Sequence, residues 1–168
     1  MKRLLILAVV LLAATGAQAQ SLLGNWLTNL DVEEGQTVQL YFNFADATFN
    51  MKVVTKVETD EMGMIVVSAD MPGVYSRDGK TLVMSMNSER ADARIDKMVF
   101  KPEFQKLIDE NPETKKMVTN TFMDVVKEIR DELCKELGEG VNLEIVELTR
   151  TKLVLRESGD DLTFTRVK

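Results

Sequence analysis

Histidine is absent from all 168 residues. Without imidazole there is no Ser-His-Asp or Cys-His nucleophilic arrangement, no His-ligated zinc and no acid–base side chain tuned near neutrality. Cysteine is nearly absent as well. Cys134 stands alone, so no intramolecular disulfide can form. For an exported chain this means that stability rests on core packing, which suits bacterial export better than small eukaryotic secreted domains. A nucleophilic thiolate needs a cationic neighbour. Cys134 lies beside the apolar stripe of a helix, with Lys135 next in sequence rather than on the same face. It therefore reads as a half-buried structural residue.

Long apolar runs are also missing, apart from one at the start. Lys2 and Arg3 precede an apolar core over residues 4–14, and Ala17-Gln18-Ala19 places small residues at the −3 and −1 positions of a cleavage site. Residues 1–19 read as a secretory signal peptide cut after Ala19, so the mature protein is expected in the periplasm or outside the cell. The apolar core is shorter than the roughly 20 residues a membrane span needs. A lipoprotein would need cysteine where Gln20 stands. Residues 20–168 then form a single domain, large enough to bury a core. Losing Lys2 and Arg3 takes the 21 basic side chains to 19 against 27 acidic ones, a formal charge of −8. Nucleic acid and anionic membrane surfaces reward Lys/Arg patches and are disfavoured as partners.

What the chain has in quantity is alternation. Val38, Leu40, Phe42 and Phe44 alternate with Gln39, Tyr41 and Asn43, and Phe49, Met51 and Val53 repeat the pattern after a turn at Ala45-Asp46. That spacing predicts a hairpin with one buried face. An apolar strand is expected over residues 62–69, broken by Pro72-Gly73, with a short strand at Val74-Tyr75 and a turn at Asp78-Gly79. Leu82, Met84 and Met86 alternate next, and residues 95–100 supply one more strand. The period then changes. Pro102 opens a helix with Phe104, Leu107 and Ile108 on one face. Asn111-Pro112-Glu113 caps and restarts it. Val118, Phe122, Val125, Ile129 and Leu133 form the docking stripe of a long helix over residues 114–137. Strands return at residues 143–148, 153–155 and 162–166. The fold class is mostly β: an antiparallel barrel or sandwich of nine or ten short strands, with a helical insertion at about 102–137 before the final strands.

Leu23-Gly24-Asn25-Trp26 resembles the Gly-x-Trp that begins the first strand of lipocalins. The closing run from Glu147 to Arg156, followed by Thr163-Phe164-Thr165-Arg166-Val167, is similar to the last hairpin of bacterial lipocalin-like, calycin-type exported proteins common in Bacteroidetes. Gly73-Val74-Tyr75 with Asp78-Gly79 and Leu82 resembles their middle hairpin. The resemblance implies a lipocalin-like barrel, and it implies that Trp26 packs against Arg166 near Gly24 as a structural signature. It also implies a ligand-binding role at most. The helices over 102–137 depart from the pattern, being longer than the usual lipocalin helix and placed before the last hairpin.

No residue set for catalysis is visible, so no enzyme activity, metal or cofactor is expected. Asp160 and Asp161 lack the alternating carboxylates of a calcium loop. Glu128 and Glu132 read as helix-surface charges placed to pair with Lys or Arg one turn away. Nine methionines remain after export. Met51, Met64, Met84 and Met86 on inward faces suit either a filled core or an adaptable apolar cavity. If the barrel is hollow, Phe42, Phe44, Phe49, Met51, Met84 and Met86 are the candidate lining for a small apolar or amphipathic ligand. If it is solid, the helical insertion is left to contact a protein partner in the cell envelope.

Overall fold

Apolar–polar alternation organises the strands of the computed structural model, which describes residues 21–30, 32, 35–60, 63–138 and 140–168. Residues 1–19, expected to be a signal peptide, lie outside the described residues. Six strands come first: β1 (Gly24–Leu30), β2 (Gln36–Phe44), β3 (Thr48–Thr59), β4 (Gly63–Asp78), β5 (Thr81–Met86) and β6 (Asp92–Phe100). Two helices follow, α1 (Pro102–Glu110) and α2 (Pro112–Gly138), and then β7 (Val141–Leu148), β8 (Lys152–Glu157) and β9 (Asp160–Val167). All pairings are antiparallel, and β9 returns to β1 with Trp26 opposite Arg166. The ring β1–β2–β3–β4–β5–β7–β8–β9 therefore closes into an eight-stranded barrel with the helical insertion before its final strands.

β6 is an extra strand outside that ring. It shares one edge of β4 with β5: β5 pairs along 73–78 and β6 along 63–70, with a single 3-10 turn, Ser88–Arg90, between them. The expected break at Pro72-Gly73 does not occur, and β4 runs through both residues. The carbonyl of Pro72 accepts a hydrogen bond from the Asn87 amide. A strand residue presents its N and its carbonyl to the same edge, so the missing proline N–H falls at the junction of β5 and β6, where the ladder is already interrupted. Gly73 leaves room for the Phe49 ring, which lies 2.5 Å from where a Cβ would stand.

Up-and-down connectivity sorts the loops to two ends. The β2–β3, β4–β5 and β7–β8 turns lie at one end; the β1–β2, β3–β4 and β8–β9 tips lie at the other, with the helices. Pro102 starts α1, where Ile108 is buried and Phe104 meets Phe100 at 5.3 Å between ring centroids, while Leu107 is exposed. Asn111 caps α2 by accepting from the Glu113 and Thr114 amides at 3.1 and 3.2 Å. α2 packs on β6, β5 and β4. Its docking stripe differs from the expected one: Val126 is 3 % exposed, whereas Val125 is 46 % and Ile129 38 % exposed. Val126 shares a core cluster with Ala69 and Met71 of β4 and Ala93 of β6, and Leu133 packs against it. The helix thus closes the side of the barrel where β6 and β7 do not pair. Met64, expected inward, lies on the opposite parity from buried Ile65, Ala69 and Met71.

Candidate functional site

One end of the barrel is sealed by the first and last strands. The Arg166 guanidinium carbon sits 4.1 Å from the centroid of the Trp26 ring, and the indole Nε1 donates to the Leu22 carbonyl at 2.8 Å. Arg166 donates to the Leu23 and Ser21 carbonyls at 2.6 and 2.7 Å, so the fork ties the chain entering β1 to β9. Gly24 has φ of 119°, and a Cβ there would stand 2.7 Å from an Arg166 nitrogen. All three residues of the Gly-x-Trp and Arg signature are in one contact set.

Above this seal, inward positions form an aromatic layer. Phe42 lies 5.4 Å from Phe164 and 6.0 Å from Phe49, centroid to centroid. Over that layer opens a cavity of about 450 Å3, and its open end lies beside α2 and the β8–β9 tip. Phe42, Phe49, Met51, Met84 and Met86 line it, as their strand parity leads one to expect. Phe44 does not. It has the correct parity but lies one pair deeper, stacked 5.3 Å from Phe42 and edge-on 5.2 Å from Tyr75 below the floor. Its register partner Phe49 still reaches the cavity, so parity assigns a side, and packing against Phe42 and Tyr75 decides that Phe44 stays out of the lining.

Other lining residues come from the same parity series and were legible in it: Leu40, Val53 and Leu155 among them, with Glu157 two positions beyond Leu155. Those from α2 were not assigned to a cavity, although Ile129 and Leu133 belong to the expected docking stripe. Ile129, Glu132 and Leu133 reach the cavity because the helix closes the barrel, which no local pattern announces. Glu132 therefore corrects its reading as an ordinary surface charge: it lines the cavity mouth, and neither it nor Glu128 makes an ion pair among the described residues. Glu157 likewise makes no ion pair among the described residues. The hairpin that carries it is held by Arg156, which donates to Asp161 at 2.6 and 3.0 Å. That hydrogen bond holds the Asp161 carboxyl below its usual range.

Cys134 is half-buried on α2, and burial pushes its thiol pKa up, against a smaller opposing influence from Arg130. A thiol so placed is a weak nucleophile. Among the described residues no group of three His, Cys, Asp or Glu side chains is arranged to hold a metal ion. No helix among them is long and apolar enough to cross a membrane. What the arrangement can do chemically is take up an apolar body and meet it with two carboxylates at the opening. Comparison with protein-family models, curated proteins and solved structures returns no match for the chain.

Proposed function

We propose that this chain is an exported, non-enzymatic, lipocalin-like binding protein that holds a small apolar or amphipathic molecule in its barrel. The observation that carries the reading is the cavity of about 450 Å3. It falls within the ~300–1,000 Å3 typical of small-molecule sites, and its wall is aliphatic, aromatic and methionine-rich. Removing an apolar ligand from water against such a wall supplies the affinity, and flexible thioethers adapt to its shape. Periplasmic or extracellular delivery follows from the signal-peptide reading of residues 1–19.

Uptake of an environment-sensitive apolar probe by the mature protein tests this. Saturable, near-stoichiometric uptake is expected, and Met84→Trp should abolish it by occupying the hollow. In a filled core the same substitution would cost roughly 1–3 kcal/mol through overpacking. Here it should leave the thermal midpoint unchanged or raised. Absence of saturable uptake by the unmodified protein would sink the binding reading.

One observation favours a second reading, an envelope interaction module. Met117 and Val125 are outward apolar residues on α2, 63 % and 46 % exposed. A protein partner at these residues would take precedence if the cavity proves not to bind.

A further inference from the structure

The wall of the cavity narrows the chemistry of its occupant, an inference that rests on the binding reading above. Among the described residues, sixteen of the nineteen that line it are apolar; the other three are Thr55, Glu132 and Glu157. No described lysine or arginine lines it. Glu132 and Glu157 are exposed, which places both at the opening rather than at the aromatic floor. Among the described residues neither makes an ion pair: Arg156 is committed to Asp161 and Glu144, and Arg130 to Asp131. Outward from Glu132, the groove on α2 carries Asp124, Glu128 and Asp131 against Lys127 and Lys135, and with Asp131 paired to Arg130 it adds no net charge to that of the mouth.

We propose that the cavity takes a cationic amphiphile. Its apolar body fills the barrel and its amine or quaternary ammonium group sits at the mouth between Glu132 and Glu157. At the ~30 Å3 that a water-sized group occupies in a liquid, the hollow holds about 15 non-hydrogen atoms. A fatty-acid carboxylate of the same length would bring a third negative charge to the same opening, and like charges at a binding site select against it.

Displacement of a bound apolar probe by three molecules with one decyl chain reads this directly: decyltrimethylammonium, 1-decanol and decanoate. The ammonium compound should displace about tenfold more tightly than decanoate, the scale that two partly solvated ion pairs reach together. The gap should shrink as salt rises towards 1 M, where the screening length is ~3 Å. The Glu132→Gln/Glu157→Gln double variant should erase the preference, bringing the ammonium compound and decanoate to within about twofold of each other. Equal displacement by all three, or a preference for decanoate, overturns the charge inference and leaves the apolar cavity standing. Failure of all three to compete, with no probe uptake, overturns the cavity reading itself. The salt series uses the unmodified protein, so the outcome does not depend on how the variant folds.

Discussion

At the scale of single residues, the seal of the barrel shows how few side chains need to be specified to close it. Trp26 is fully buried, its Nε1 is satisfied by the Leu22 carbonyl, and its face meets a guanidinium whose outer nitrogens are occupied by two carbonyls. A cation–π contact of this kind contributes ~0.5–2 kcal/mol, more where water is excluded. Gly24 makes the contact possible twice over. Its positive φ suits glycine alone at low cost, and its bare Cα admits the Arg166 fork. Gly24→Ala should therefore destabilise by more than ~1 kcal/mol, since alanine at positive φ is strained and its methyl displaces the guanidinium. Urea denaturation monitored by Trp26 fluorescence reads both effects, a lower midpoint and an altered native emission. An unchanged midpoint would mean that the seal adds nothing to stability. The pairing of Trp26 with Arg166 came from the resemblance of the two termini to lipocalin-like hairpins. No local pattern in either segment places them 4.1 Å apart.

At the scale of elements, strands and helices differ in how much their sequence settles. A strand of period two has only two faces, so Phe42, Met51 and Met84 could be assigned inward from alternation alone. A helix face is a continuous arc, and Val125-Val126 offers two adjacent apolar choices for the same turn of α2. The choice is made by docking onto β4 and β6, which buries Val126 and turns Val125 out. Val126→Ala should cost about 2 kcal/mol, from ~0.8 kcal/mol per buried carbon plus the cavity left behind. Val125→Ala should stay within ~0.5 kcal/mol. Equal effects in thermal denaturation would place the docking stripe elsewhere. Pro72-Gly73 errs in the other direction: a strong local break signal was overridden because β4 meets two partner strands in succession, and the proline falls between them.

At the scale of the whole molecule, closure and hollowness are collective properties. Inward Phe42, Met51 and Met84 were on the expected parity, yet nothing in any one strand says that eight of them close or that the space inside stays open. Nor does it say that an inserted helix supplies Glu132 and Leu133 to the mouth. A sealed apolar void of about 450 Å3 would cost on the order of 10 kcal/mol at ~24 cal/mol per Å3, comparable with the entire stability of a domain. The mouth beside α2 and the β8–β9 tip relieves part of that cost, and an occupant would relieve the rest. Binding to the native state alone then has to appear as stability. A decyl amphiphile at about 100 times its Kd should raise the unfolding free energy by ~2.7 kcal/mol. For a domain of this size that corresponds to about 5–10 °C in thermal midpoint. Hydrogen exchange should slow most along α2 and the β8–β9 hairpin, the two elements that frame the opening, and least at the Trp26–Arg166 seal. Met84→Trp protein should show neither the shift nor the protection. An equal shift in both proteins would place the amphiphile on exposed Met117 and Val125 instead of in the barrel.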